Sequence, residues 1–589
     1  MRNRRKILFA GICISASIFL ILLCLYCSPA DLGRYLGVDG VIDSMDIVHI
    51  NAVRMAAVIA GFLLLIWGTA LAATPHLLVS AAKWFNECPS KTKDFITLAI
   101  LIALACACYL PFTYHGVFGE RDSYRMLSGF LDSLNTGTPF KNPTLYARHH
   151  SFGYYAWLYL FSDTVKNDPQ AAFALFNYTN TVTAILMAIP LFFVVRRYWG
   201  LAAAILANII LMTIPVWWQM SLYGHPQQIA VFFNFVGLAL LCYRPRPAAG
   251  TLARVKALAV DLLIVAAFSL CLMNRLDCIL MFPLIPAILI CEWYSVKSFV
   301  VRFAGYTLIP ILVFFSIDSY LPSTDIPAGS SIGNTFKLLF RWHNPSRLVE
   351  HFGEANRIFL SAYPGFLLIA FILACFYLLH RRKFIPLFFI LPVVLINYFF
   401  WLPSPFPARH FVYLAPALSI GIAILLASIG EQTSLFFSTS KLKTYIGVFL
   451  VFLTGHLCTS LMDGVPVYRG VYSPEDAIAA GRLGEDLMKI PPEKKPVYVV
   501  SDAIPVIVKM QLISNSIKIS KSDHHSLLVN NGKNDFIFCV QGWDRKSVSD
   551  LQEEAAKCHK MRWLVDPYNK FIYSKMKDFK PASTHSKAP

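Results

Sequence analysis

The stretch Phe95–Phe112, FITLAILIALACACYLPF, and the Gly119–Tyr124 segment GERDSY that follows it decide the fold class of this chain. The first is an uncharged apolar run of the length that carries a helix across a hydrocarbon core. The second places Glu120, Arg121 and Asp122 just past its end, where lipid gives way to water. Carboxylates at that level, in a chain otherwise built of apolar helices, suit chemistry on a polar substrate carried by a lipid.

Working outward, similar runs recur over the first four-fifths of the sequence, about thirteen in all by length and apolar content. They fall at 7–27, 54–77, 95–112, 176–195, 201–218, 229–242, 257–273, 278–293, 300–317, 358–379, 384–401, 412–428 and 445–461. Composition agrees: of 589 residues, 56% are hydrophobic and only 15% charged, well outside the balance of a soluble domain. The expected fold is a polytopic α-helical membrane protein. The run at 7–27 is too long for a signal peptide and lacks a small-residue cleavage site, so it reads as a membrane anchor.

Basic residues orient the spans, because Lys and Arg accumulate on cytoplasmic ends. Arg2, Arg4, Arg5 and Lys6 put the N-terminus inside, and Lys83, Arg196, Arg197, Arg244, Arg254 and Arg381 fall on inner loops in the same alternation. The GERDSY loop is then outside, as is everything after the last span. Much of the net charge of +18 is therefore topology signal, and no basic motif resembles a nucleic-acid reader. Arg121, Arg148, Arg275 and Arg409 lie on the outer side against that bias, where guanidinium groups suit an anionic headgroup such as a phosphate. Each also has the plainer reading of an interfacial anchor.

The outer loop at 113–175 is too long to be a connector. Met126, Leu127, Phe130, Leu131 and Leu134 share one helical face, giving an amphipathic helix over 123–134 that lies along the membrane surface, with Asp122 at its N-terminus. His149–Phe161, HHSFGYYAWLYLF, is rich in aromatic rings suited to the interface or to stacking on a sugar. Trp217 and Trp218 read as an aromatic belt. His149, His150, His225 and His410 stand near the same outer surface, where neutral imidazoles bind hydroxyls or phosphates. From 464 to 589 the texture changes to that of a small α/β domain. Its strands are expected at 496–500, 516–519, 536–540 and 561–565, with helices at 474–488, 503–512 and 547–559. The domain division is thus 1–463, a membrane part with its outer loop, and 464–589, an extracytoplasmic domain with a polar tail.

This layout resembles the C-type glycosyltransferase superfamily, which includes protein O-mannosyltransferases and aminoarabinose transferases. An acidic residue opens the first large outer loop of that family, and Gly119–Tyr124 with Asn135–Pro139 is similar to it. His149–Tyr155 echoes a later His-Pro-Pro-Leu-Tyr-Tyr-like stretch without the prolines. Met273–Cys278 is similar to the family's basic turn between two spans, and Pro407–Pro416 to its late Arg followed by Pro. Two departures stand out: the acidic pair is split as Glu120-x-Asp122, and the turn Tyr223–Gln228 lacks an acidic residue.

The resemblance implies transfer of a sugar from a polyprenyl-phosphate donor to a glycan, lipid or protein acceptor outside the membrane, with inversion. Asp122, or Glu120 in its place, would take the proton of the acceptor hydroxyl. Arg121, Arg148, His149, His150, His225, Arg275 and Arg409 would bind donor phosphate or sugar, with Asp277 holding Arg275 in place or simply pairing with it. As a plain helix cap Asp122 has a structural reading too. Glu120 and Asp122 offer oxygen ligands to a divalent cation but make an incomplete shell, so no metal or cofactor is assigned. The expected setting is a bacterial inner membrane. A glycan polymerase or ligase would share the spans and the loop. A transporter would instead put ionisable residues at mid-membrane and show matching halves.

Overall fold

The computed structural model describes residues 87–113, 152–165, 169–222, 224–245, 251–292, 295–320, 345–401, 408–436 and 447–456, isolated residues before 87 and at 130, and the backbone of five strands after 497. Its helices are α1 (Ser90–Tyr109), α2 (Phe152–Tyr159), α3 (Ser162–Val165), α4 (Pro169–Leu186), α5 (Ala188–Thr213), α6 (Pro215–Met220), α7 (Pro226–Cys242) and α8 (Thr251–Asn274). They continue as α9 (Leu284–Cys291), α10 (Val296–Tyr320), α11 (Pro345–Ala362), α12 (Gly365–His380), α13 (Phe384–Trp401) and α14 (Ala415–Phe436). Short 3-10 turns lie at Leu110–Phe112, Leu276–Met281 and Ala408–Leu414.

Among the described residues, six helical stretches are long and apolar enough to cross a membrane: Ser90–Tyr109, Ala174–Thr213, Thr251–Asn274, Val296–Ile317, Phe384–Trp401 and Arg409–Thr433. Pro226–Cys242, Leu276–Cys291, Gly365–His380 and Gly447–His456 are shorter apolar helices. The chain is a multi-pass membrane protein. The expected spans at 7–27 and 54–77 lie mostly outside the described residues.

Where the observed helices depart from the expected spans, proline and glycine are the cause. The 40-residue stretch Ala174–Thr213 would run about 60 Å as one helix, twice a hydrocarbon core. Gly200, at φ 89°, interrupts it; that backbone region is open to glycine and closed to most side chains. The span expected at 201–218 stops at Thr213, because Ile214 is extended and Pro215 opens the separate helix α6. The span expected at 278–293 divides into the 3-10 turn Leu276–Met281 and α9, with Pro283 between them. The span expected from 358 begins at Gly365, since Pro364 caps α12 in an extended conformation. Ile358 to Ala362 belong instead to α11.

The chain divides into two compact units, one made of Met1–Thr113, Tyr146–Tyr154 and Tyr178–Pro466, the other of Tyr114–Leu145, Tyr155–Asn177 and Val467–Pro589. In the first, α7 packs on α8 and α5 on α14, and the buried residues run through all four. Trp217 and Trp218 belong to this interior rather than to an aromatic belt. Both are buried, and the Trp218 indole donates to the Cys108 carbonyl at 3.3 Å.

The second unit carries a five-stranded sheet, β1 (Tyr498–Val500), β2 (Ile519–Ser520), β3 (Ile537–Val540), β4 (Met561–Val565) and β5 (Ser574–Lys575), in the order β2-β1-β3-β4-β5. The first four are parallel, with Val499 opposite Ile519 and Phe538, and β5 pairs antiparallel to β4. β1, β3 and β4 overlap the strands expected at 496–500, 536–540 and 561–565, β2 shares only Ile519 with the one expected at 516–519, and β5 was not expected. The helices expected between them lie outside the described residues. In the same unit, Phe130 is buried edge-on against Tyr159, ring centroids 5.2 Å apart. A ring expected to lie on the membrane surface is therefore packed against the aromatic stretch of its own loop.

Candidate functional site

Three turns, far apart in sequence and each at the end of an apolar helix, converge in the first unit. The first joins α6 to α7 and carries His225, Gln227 and Gln228. The second, Asn274 to Cys278, follows α8. The third is the 3-10 turn Ala408–Leu414 that leads into α14, and it packs against α6, α7 and the second turn.

Each turn is held by neutral polar side chains. Asn180 of α4 donates to the carbonyls of Met220, at 3.1 Å, and His225, at 2.8 Å, so the first turn cannot move without leaving buried carbonyls unpaired. Thr181 donates to the Ser221 carbonyl, and Gln228 donates to the Ser221 hydroxyl at 2.6 Å. The second turn is tied to α13 by Asn397, which donates to the Leu280 carbonyl at 3.3 Å. The third is tied to α11 by the Tyr363 hydroxyl, which donates to the Phe411 carbonyl at 2.5 Å.

Asp277 joins the second turn to the third. Its Oδ1 accepts from Arg275 Nε at 3.0 Å and from the Tyr413 hydroxyl at 2.6 Å. Its Oδ2 is buried, makes no hydrogen bond among the described residues and lies 3.7 Å from His410 Nδ1. The Arg275 and Asp277 side chains are 15% and 12% exposed, enough shielding to strengthen every charge in the cluster. Burial pushes the Asp277 carboxyl up, but the Arg275 guanidinium, His410 and the Tyr413 hydroxyl together outweigh it and hold it well below the usual carboxylate range.

His410 Nδ1 also lies 3.3 Å from the Gln227 side-chain nitrogen, which joins the first turn to the other two. Gln227 Oε1 is a buried acceptor with no partner among the described residues. Turning that amide over would let Nδ1–H face two acceptors, Gln227 Oε1 and Asp277 Oδ2. Such a proton on Nδ1 makes Nε2 the basic nitrogen. The Trp401 indole covers the imidazole, ring centroids 4.4 Å apart. Arg409, next in the chain, is buried too.

The cluster thus holds one ion pair, Arg275 with Asp277, beside His410 and the buried Arg409 at the ends of apolar helices, an arrangement that suits a lipid-borne anion. Asp277 pairs with Arg275, which is compatible with both of the roles open to it in the sequence. Gly153 brings the outer loop close to the same turn: a Cβ there would stand 3.0 Å from Met273 Cβ and 3.1 Å from its carbonyl, so only glycine fits without displacement. Of the expected site residues, Arg275 and Arg409 are brought together. His225 lends its carbonyl to Asn180, and Gln227 is the residue of its turn that reaches His410. Glu120, Arg121, Asp122, Arg148, His149 and His150 lie outside the described residues. Gln227, Tyr413 and Trp401 had not been singled out. The signal for Tyr413 was its place one helical turn from Arg409 and His410 in Pro407–Pro416. Among the described residues no group of three His, Cys, Asp or Glu side chains gathers in a way that could hold a metal.

No family model matches the chain, and no curated protein does. Solved structures do. The apo oligosaccharyltransferase of Archaeoglobus fulgidus matches at 11% identity and TM-score 0.45, over 81% of this chain and 69% of that one. The same protein in complex with Zn and sulfate matches at 10% identity and TM-score 0.43, over 70% of this chain and 61% of that one, so the chain spans less than two thirds of its length. ArnT of Cupriavidus metallidurans matches at 11% identity and TM-score 0.44, over 79% of this chain and 91% of that one.

Proposed function

We propose that this chain is an integral membrane glycosyltransferase that moves a sugar from a polyprenyl-phosphate donor to an acceptor on the extracytoplasmic side of a bacterial inner membrane. The observation that carries the reading is the ion pair of Arg275 with Asp277 beside His410 and the buried Arg409 that precedes it, at the ends of apolar helices. A lipid-linked phosphate has its charge at that level, with its hydrocarbon in the membrane and its sugar beyond. In the reaction the acceptor oxygen attacks the anomeric carbon from the face opposite the phosphate. The bond from that carbon to the phosphate oxygen breaks, the acceptor proton passes to Asp122 or Glu120, and the polyprenyl phosphate leaves as an anion. Arg275 and Arg409 stabilise the charge that grows on it, where fixed cations contribute most. Asp277 and Tyr413 orient Arg275. The acceptor is a glycan, a lipid or a protein, and the domain after 463 takes part in choosing it.

The test is transfer of label from radiolabelled polyprenyl-phosphate sugars in membranes holding wild type, Asp122→Asn, Glu120→Gln, Arg275→Gln or Arg409→Gln. Both arginine variants are expected to lose transfer by on the order of 10²-fold or more, as does the removal of one donor to developing charge. One of the two carboxylate variants should lose it as well. Wild-type membranes inert toward every donor, or full transfer in all four variants, would overturn the reading.

A further inference from the structure

The helix α11 has three different sides. Ala355, Phe359 and Ala362 are buried, and Phe359 packs on Phe411 at 5.1 Å and Tyr398 at 5.0 Å between ring centroids. Next round the helix, Val349, Phe352 and Leu360 are 77%, 50% and 50% exposed. Beyond them, helical spacing in the sequence puts Glu350, Glu354 and Arg357 on one polar arc. A helix in water does not show a second apolar face, so something covers the exposed arc.

The surroundings say what. The Tyr398 hydroxyl, near the end of the span α13, donates to Asn356 at 2.6 Å. The Phe359 contact to Phe411 ties α11 to the turn that opens the span leading into α14. Two residues after α11 ends, α12 begins, and its own outward face bears Ile369, Leu373 and Phe376, all more than half exposed. Thus α11 sits where the ends of three apolar helices meet, which is the level of a membrane surface, and its exposed arc runs on into a lipid-facing one.

We propose that Pro345–Ala362 lies in the membrane interface, with Val349, Phe352 and Leu360 seated among phospholipid acyl chains and the polar arc toward water. Because Phe359 packs on Phe411 in the turn bearing Arg409 and His410, the depth at which α11 rests sets the depth at which those side chains meet the headgroups. The proposal is independent of the reaction assigned above.

The experiment places a photoreactive benzoylphenylalanine at position 349, 352, 357 or 360 of the full chain, in phosphatidylethanolamine–phosphatidylglycerol vesicles with radiolabelled acyl chains. Illumination should transfer label from lipid to the variants at 349, 352 and 360 several-fold more than to that at 357. Equal labelling at all four, or none at the three apolar positions while a probe at Ile372 of α12 is labelled, would overturn it. The Ile372 probe shows that the protein is folded in the bilayer whichever result is obtained.

Discussion

Two aspartates, one in the middle of α8 and one just past its C-terminal end, meet an arginine and a tyrosine each, and they are not alike. Asp261 accepts from Arg244 through both oxygens, Nε to Oδ1 at 2.5 Å and Nη2 to Oδ2 at 2.6 Å, and Tyr306 adds its hydroxyl to Oδ1. Both oxygens are bonded, and the unit clips α8 to α10 and to the segment after α7. Asp277, just past the end of α8, takes Arg275 and Tyr413 on one oxygen and turns the other, which has no hydrogen bond among the described residues, toward His410. A two-pronged, saturated pair is a brace. A one-pronged pair with an idle buried oxygen holds charge in reserve, and such groups gather at functional sites.

The largest effect should come from Asp277→Ala. It leaves Arg275 without its carboxylate beside a mostly buried imidazole, a loss of about 3–5 kcal/mol for one half of a buried pair. Transfer by the protein that still folds is expected to fall by on the order of 10²- to 10³-fold. Labelled-donor assays normalised to folded protein measure this. A normal rate per folded molecule would make Asp277 a second brace and erase the contrast.

Next comes Asp261→Ala. Its side chain is 27% exposed, so solvent screens part of the pair and the expected loss is about 2–3 kcal/mol. It should appear as a lower melting temperature in detergent with transfer per folded molecule unchanged. Lost turnover in a fully folded protein would mean that this end of α8 also does chemistry.

The smallest effect sharpens the comparison through pH. The Asp277 carboxyl is held low in the folded state, so its contribution is present above the unfolded carboxylate value and is lost as pH falls through the lower folded one. Tyr413→Phe removes one of the partners that hold it low. Acid inactivation should therefore begin at higher pH in Tyr413→Phe than in wild type, in a melting series from neutral to acid pH. Tyr306→Phe is the matched control at the other end; an acid shift there as large as in Tyr413→Phe would remove the distinction.

The spans were legible because a bilayer demands apolar length, and the expectation at 384–401 meets α13 end to end. Boundaries slipped where proline or glycine breaks a helix inside an apolar run, as at Gly200, Pro215, Pro283 and Pro364, since hydropathy does not register backbone geometry. Reading Ile358 as the start of a span hid the three-sided character of α11. At the site, Arg275 and Arg409 were readable as cations on the unexpected side of the membrane. Their convergence was not, because 134 positions separate them.

By itself the sequence determined that the chain lives in a membrane and where its apolar runs and the charges beside them lie, all consequences of transfer from water to hydrocarbon that act residue by residue. Only the tertiary structure decided that Gln227, Asp277, His410 and Tyr413 come together in one cluster. It also decided that Asp261 is saturated while Asp277 keeps an idle oxygen. Those are facts of distance and direction between side chains on different helices, and packing alone sets them.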